Sequence, residues 1–451
     1  MELENKKIGI LGLGEENIAL VRYFLKMGIK NITICDQKGR EEFSNIGDIE
    51  NNISNWQLGA GYLSNLEEFD IVFRTPGLPY LNPEIQKAKN RGVEISSEIK
   101  YFFDQCPSPI IGVTGTKGKG TTSTLISEIL KKAGKKVYLA GNIGNAPIEF
   151  LDNLTAEEVV VLELSSFQLQ DLNQSPHIAV VLNVTSDHMD VHQSHEEYIE
   201  AKTNIVRHQR SCDFACINMD YLTSFEFASM TSGQVYYFSR QKSVDQGAWV
   251  KNDVIYLRED DKDIEIVKIP DLQLRGKHNL ENICAAIIAA RLAGAEIESI
   301  SEAIKAFKGL EHRLEMVGEI EGVKFYNDSF STNPDTAIAA IKSFQEPIIL
   351  IAGGSEKNAD YKELGEAISK STVRTAVLIG ATGPRIKSEI RNSNIEIISS
   401  CQNIEEVIKT AKEKAKPGDV VLLSPASASF DWFKNYKDRG KQFKEKVMGL
   451  V

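Results

Sequence analysis

Cysteine, basic charge and long apolar runs are all in short supply in this 451-residue chain, and each shortage closes a class of function. The six cysteines are scattered: Cys35, Cys106, Cys212, Cys216, Cys284 and Cys401. Only Cys212 and Cys216 are close in sequence, with no second pair to complete a zinc site, so they read as buried, reduced thiols. Lys and Arg number 52 against 63 Asp and Glu, a net charge of -11. A general nucleic-acid or anionic-membrane partner needs a basic face, which this balance argues against. An anionic substrate in a locally basic pocket stays open. No apolar run is long enough to span a bilayer, and the N-terminus enters a strand without a signal-peptide pattern. A soluble, cytoplasmic protein is expected.

What is present is strand–helix alternation, in three blocks. In the first, KIGILGLG is an apolar strand ending in glycines, ENIALVRYFLKMG has helical spacing and stops at Gly28, and ITICD and DIVFRTPG are further strands. The Pro-bearing stretch DQCPSP marks a boundary before a fresh strand, IIGVTGTKGKG. The middle block adds the buried-type strands EVVVLEL, IAVVLNV and DFACIN, a more polar, hairpin-like patch from Gln234 to Ile269, and a long helix, NLENICAAIIAARLAG. After FKGLEHRLE the alternation restarts with PIILIAGG, TAVLIGATG, IEIISS and DVVLLSPASAS. Such alternation argues for parallel, doubly wound sheets. The expected class is α/β in three domains: a Rossmann-like one (1–106), a P-loop ATPase-like one with a mostly parallel sheet (107–309), and a second Rossmann-like one (310–451).

The segment GVTGTKGKGTTSTL, Gly112 to Leu125, is the strongest chemical signal. An apolar strand runs into a glycine-rich turn and then a helix. Such a turn aims backbone N–H groups at phosphate oxygens, and the helix adds its positive end. The common loop ends Gly-Lys-Ser/Thr, whereas here Gly118-Lys119 is followed by Gly120 and then Thr121 and Thr122. One lysine at ~4 Å contributes only about 4 kcal/mol at a protein-like dielectric. A triphosphate therefore calls for a divalent cation as well, held through Thr121 or Thr122. The spacing alone does not separate kinase, ATPase and ligase.

Other candidates follow along the chain. Glu163 in VVVLELSSFQL lies at a strand's C-terminal end, where open α/β sheets bind ligands, and is the first candidate for a magnesium ligand. The run NVTSDHMDVHQSH carries His188 among other histidines and aspartates. A full metal cage there is at odds with magnesium's preference for oxygen over imidazole. Lys202 sits in an ordinary amphipathic helix, where a lysine by itself is a solvated charge. The first turn, GLGEENIA, has Asn17 where a dinucleotide fingerprint carries glycine, and Asp36 stands at the distance of a ribose carboxylate. NAD binding and a plain structural turn both remain open there.

In order along the chain stand GTKGKGTT, GNIG (Gly141 to Gly144), ELSSFQL, NVTSDHMD, YIEAK, GKHN (Gly276 to Asn279), His312-Arg313, Asn327 to Ser329, and LSPASASFD. Together, over essentially the whole chain, they resemble the Mur ligases, with ELSSFQL matching the branch that adds D-glutamate. The resemblance implies an ATP-dependent ligase of peptidoglycan precursor synthesis. It would add D-glutamate to UDP-N-acetylmuramoyl-L-alanine through an acyl phosphate and a tetrahedral intermediate. It implies that the loop Gly115, Thr116, Lys117, Gly118, Lys119, Gly120, Thr121 and Thr122 holds ATP with Asn279, Arg313 and Asp328. Two magnesium sites would draw on Thr121, Glu163, His188 and Lys202, the last bearing a carbamate derived from CO2. Lys119, Glu163, His188 and Lys202 would then be the catalytic group. Gly14, Asp36, Gly77, Asn142 and Gln168 would hold the UDP-linked substrate, and Thr332, Lys357, Ser429 and Phe430 the D-glutamate. A monomer acting on small molecules is expected. Two departures stand out. Glu15 and Glu16 replace an apolar residue and a threonine, and Phe330 stands where the family often has lysine. Rival readings are a folylpolyglutamate synthase, which lacks a full domain ahead of the loop, a nicotinamide dehydrogenase, and an ATP-hydrolysing switch whose phosphate release needs no amine.

Overall fold

The computed structural model describes residues 3–43, 46–185, 194–391 and 394–450. It holds three sheets, mostly parallel, in two compact units. One unit comprises Met1–Asp271 and Glu281–Lys305, the other Leu272–Leu280 and Ala306–Val451.

The first unit contains two sheets. The smaller has five parallel strands, with Ile8–Leu11 at its centre. Ile32–Asp36 and then Asn55–Leu58 lie on one side, Ile71–Arg74 and Glu94–Ser96 on the other. The strand order reverses at Ile8–Leu11, so a crevice opens at its C-terminal end, where Gly12 to Gly14 begin. VEISSEIKYFF divides at Ser97, which caps the helix Glu98–Gln105 by accepting the Lys100 N–H.

The larger sheet has nine strands. Ile110–Thr114 runs between Val159–Glu163 and Ile178–Val181, with Val137–Gly141 outside the former, all parallel. Ile110–Thr114, Val159–Glu163 and Ile178–Val181 are buried along their whole length, which is why they read as unbroken apolar runs. The polar patch bears out its hairpin reading in its later part and departs from it in its first strand. Gln234–Ser239 pairs parallel to Phe214–Asn218, and Gly247–Lys251 continues parallel. Only from there do Val254–Glu259 and Lys262–Lys268 turn antiparallel. The hairpins therefore begin at Gly247, while Gln234–Ser239 joins the sheet by parallel pairing. The two sheets share one apolar core, from Leu3 through Phe102 to Phe227.

The second unit has a six-stranded sheet. Its order is Glu315–Ile320, Val323–Asn327, Val420–Leu423, Ile348–Gly353, Val373–Ile379 and Glu396–Ile398, antiparallel only in the first pair. Separate apolar cores cover its two faces.

Candidate active site

The glycine-rich loop leaves the C-terminal end of Ile110–Thr114 and enters the helix Lys119–Lys132. Gly118, at φ +90°, is the residue before the helix, and a Cβ there would collide with Asn282 Oδ1. Glycine is required at that point by backbone conformation and by space. The loop is tied to the segment after Ile178–Val181. Thr116 N–H donates to the Asn183 carbonyl (2.6 Å) and Lys117 N–H to Asn183 Oδ1 (2.8 Å). Thr116 Oγ1 meets the Thr185 carbonyl and the Tyr198 hydroxyl, each at 3.0 Å. Gly120, Thr121 and Thr122 form the buried first turn of the helix, and the buried Thr122 Oγ1 has no hydrogen-bond partner among the described residues.

Two lysines from different elements converge on this loop. Lys119 Nζ donates to the carbonyls of Gly115 (3.0 Å) and Thr116 (3.1 Å). Lys202, on the helix His195–Arg207, is 1% exposed. Its Nζ donates to the same Gly115 carbonyl at 3.2 Å and to Thr114 Oγ1 at 3.3 Å, and lies 4.8 Å from the Tyr198 ring centroid. Far from being a solvated charge, Lys202 is buried beneath the phosphate loop. Glu163 is paired in register with Val113 and is 6% exposed. Its Oε1 accepts Asn142 Nδ2–H at 2.9 Å. The buried Glu163 carboxylate and the Thr121 hydroxyl at the helix start are oxygen donors of the kind magnesium prefers. His188 lies outside the described residues.

The first turn of the chain is built differently. Asp36 accepts Leu13 N–H (2.6 Å) and Lys38 N–H (2.8 Å), so both its oxygens brace backbone. Gly14 precedes the helix Glu15–Lys26, and Gly77 is exposed on the turn after Ile71–Arg74. Asn17 is fully buried and donates to the Gly12 carbonyl at 2.7 Å. Its side chain occupies the space that a fingerprint glycine would leave for close helix–strand packing. Glu16 accepts Gln168 Nε2–H at 2.8 Å, while Gln168 Oε1 accepts Ser165 N–H at 3.0 Å. Burial raises the Glu16 carboxyl to about 7, against the opposing pull of Gln168 and Arg74.

In the second unit, Asn279 Nδ2 donates to the Arg275 carbonyl (2.5 Å), and Arg313 lies with its Cζ 3.7 Å from the Phe330 ring centroid. Asp328 is buried, accepting Leu314 N–H (3.1 Å), Ser331 Oγ–H (2.5 Å) and Ser424 Oγ–H (2.8 Å), and burial raises it to about 6. Thr332 is partly buried and Ser429 buried, while Lys357 and Phe430 are exposed, Phe430 by 68%.

Three family models match the chain: the Mur ligase MurD-like N-terminal domain over residues 6–97, the Mur ligase middle domain over 113–290, and the Mur ligase glutamate ligase domain over 312–427. The UDP-N-acetylmuramoylalanine–D-glutamate ligase of Acetivibrio thermocellus is 43% identical, with 100% of this chain and 97% of that protein covered. The enzyme of the same name from Symbiobacterium thermophilum is 41% identical over 99% and 98%. The chain belongs to the Mur ligase family. The crystal structure of the UDP-N-acetylmuramate–alanine ligase of Thermotoga maritima shares the fold of this Mur ligase at a TM-score of 0.59 and 17% identity, covering 99% of this chain and 100% of that one.

Two arginines of this Mur ligase escaped the sequence reading. Arg74 ends an otherwise apolar strand and is fully buried, donating to the Leu78 carbonyl (2.7 Å), the Phe167 carbonyl (2.8 Å) and Asp171 Oδ1 (3.1 Å). It thereby ties the five-stranded sheet to the segment after Glu163. The signal was one cation closing an apolar run. Arg439 is also fully buried, beside Ser329, Ser427 and Ala428, and burial lowers it to about 10. It shares a helical stripe with Phe443 and Val447 at four-residue spacing, which marks it as core-facing. Among the described residues, Glu311, His312 and Glu315 form a group of metal-ligating type. Lys444 Nζ reaches Glu311 (2.8 Å) and Glu315 (2.5 Å), so an ammonium already serves those carboxylates.

Proposed function

We propose that this chain is an ATP-dependent ligase that adds D-glutamate to UDP-N-acetylmuramoyl-L-alanine, yielding ADP and phosphate, in peptidoglycan precursor synthesis. The observation that carries the catalytic reading is the meeting of Lys119 and Lys202 on the Gly115 carbonyl, beside Glu163 at the end of the adjacent strand. A glycine-rich turn whose N–H groups lie at a helix start, with a lysine folded over it, suits a polyanion such as a triphosphate.

A free carboxylate acylates poorly, and ATP converts it into an acyl phosphate that the amine of D-glutamate attacks. In this reading the loop N–H groups, with Lys119, bind and orient the ATP phosphates, stabilising charge that grows as the phosphoryl group moves. In the second unit, Arg313 and Asn279 are the candidates for ATP contact that the family resemblance implies. Glu163, Thr121 and a carbamate on Lys202, with His188, would hold two magnesium ions, which neutralise phosphate charge when bound. Carbamylation turns the Lys202 ammonium into an anionic oxygen donor and removes its repulsion with Lys119. Gln168 and Asn142, with Gly14, Asp36 and Gly77, would position the UDP-linked substrate; Thr332, Lys357, Ser429 and Phe430 would receive D-glutamate. The protein would act in the cytoplasm as a monomer on small molecules. Among the described residues no helix is long and apolar enough to cross a membrane.

The test is phosphate release from ATP with UDP-N-acetylmuramoyl-L-alanine, comparing D-glutamate, L-glutamate and D-aspartate. Release that requires both the acyl acceptor and D-glutamate is expected. Release independent of any amine points instead to an ATP-hydrolysing switch, and preference for another amino acid overturns the assigned specificity.

A further inference from the structure

Arg74 is a cation in an apolar place. It closes the strand Ile71–Arg74, every residue of which is buried. Its ion-pair partner, Asp171 at 3.1 Å, has a side chain only 2% exposed. The pairing is incomplete. Arg74 Nε and Asp171 Oδ2 are buried and have no hydrogen-bond partner among the described residues. A buried ion pair offsets its desolvation only when its remaining donors and acceptors are also met, and each unmet atom costs stability. Stability alone therefore does not explain a guanidinium here.

What the guanidinium does is join two backbone segments. Nη1 donates to the Leu78 carbonyl at 2.7 Å and lies 3.4 Å from the carbonyls of Thr75 and Pro76, so the turn after the strand wraps around one nitrogen. Nη2 donates to the Phe167 carbonyl at 2.8 Å, beside its contact with Asp171. The turn carries Gly77 as its exposed residue, and the second segment carries Gln168. A planar guanidinium holds its donors in a fixed fork, so it sets the spacing of the groups it bridges; an ammonium is a point charge and does not.

Two further contacts limit what Arg74 controls. Gln168 reaches Glu16, two residues past Gly14, so the same segment also meets the first turn of the chain. On its other flank the segment is held independently of Arg74. Asn204 Nδ2, from the helix His195–Arg207 that bears Lys202, donates to the Leu169 carbonyl at 2.9 Å. Loss of Arg74 would loosen the Gly77 side and leave the Lys202 side held.

We infer that Arg74 is a positioning residue for the UDP-linked substrate: from inside the core, its guanidinium sets the spacing between the Gly77 turn and the segment bearing Gln168. This rests on the assignment of Gly77 and Gln168 to that substrate made above.

The test is binding of UDP-N-acetylmuramoyl-L-alanine to the full chain by isothermal titration calorimetry, with KM for ATP and the unfolding temperature measured alongside. Wild type is compared with Arg74→Lys, Arg74→Met, Arg74→Met/Asp171→Leu and Gln168→Ala. Arg74→Met leaves Asp171 buried without its cation and should lower the unfolding temperature; the double variant removes both charges and should recover most of that loss. Its Kd for the UDP-linked substrate should still rise about five- to twentyfold, with KM for ATP within about twofold of wild type. Arg74→Lys keeps a charge beside Asp171 but cannot bridge both carbonyls, and should weaken binding about threefold or more. A wild-type Kd in the folded double variant overturns the inference. Should that variant not fold, a wild-type Kd in Arg74→Lys overturns it. A rise in Kd matched by an equal rise in KM for ATP also overturns it, because that marks general loosening. If wild type binds and Gln168→Ala binds equally well, the assignment of Gln168 fails and the inference falls with it. If wild type does not bind, the proposed function itself fails.

Discussion

The first unit contains two glycine-rich turns that leave an apolar strand and enter a helix, and they are chemically opposite. At Gly115–Thr122 two ammonium groups meet on one carbonyl. At Gly12–Asn17 the same kind of turn is followed by Glu15 and Glu16, its space is filled by Asn17, and Asp36 braces it from the neighbouring strand. Both are strand-to-helix turns at the C-terminal edge of a parallel sheet, the place where such sheets bind ligands. The glycines supply the shape; what binds is set by the charges brought in from other elements. Lys202 arrives from a helix more than eighty residues later in sequence. Gln168, which meets Glu16, comes from beyond the strand that carries Glu163.

Breaking the cationic turn should have the largest effect. Lys119→Ala removes the charge at the phosphates, and kcat/KM for ATP should fall about 100- to 1,000-fold with the unfolding temperature little changed. A loss below tenfold would mean that the loop N–H groups alone suffice. Lys202→Arg keeps a cation but cannot form a lysine carbamate. Ligation should fall about 100-fold or more while the folded state persists by circular dichroism. Full activity of that variant would remove the carbamate from the mechanism.

How much of this was legible in the sequence follows from the range of each interaction. The turns, the Val/Ile strands and Glu163 at a strand end are local patterns, and they stand where the alternation placed them. In the polar patch the hairpins from Gly247 were legible, whereas the parallel pairing of Gln234–Ser239 was not, because its partial burial resembles that of the hairpin strands. Lys202 looked like a surface charge on an amphipathic helix; only tertiary packing puts it beneath Gly115, and the resemblance to the Mur ligases, not periodicity, singled it out. Arg74 and Arg439 were missed for a related reason. A buried arginine satisfied by carbonyls leaves no partner in sequence, and only its place in an apolar run hints at it. The contact of Glu16 with Gln168 joins residues far apart in sequence, and no local pattern announces it.

The smallest expected effect probes the anionic turn and is a pH effect. The groups facing Glu16 are Gln168, which donates to it, Arg74, which favours its charge, and Glu98, whose own fully buried carboxyl is raised well above the usual range by desolvation and by Glu16. Burial dominates and raises Glu16 to about 7. A carboxyl raised on folding binds its proton more tightly in the native state, so its stabilising contribution is present below the ordinary carboxylate range and is lost as pH rises through 7. Wild type should therefore lose stability between pH 5.5 and pH 8. Glu16→Gln, whose amide can still accept from Gln168 but never ionises, should match wild type near pH 4 and unfold about 2–4 °C higher at pH 8. The same variant should flatten any change near pH 7 in KM for the UDP-linked substrate, because Gln168 keeps one partner in one protonation state. Parallel pH profiles of unfolding temperature for the two proteins would show that Glu16 stays ionised in the junction. The first turn would then be anionic at every working pH, which sharpens its contrast with the phosphate loop.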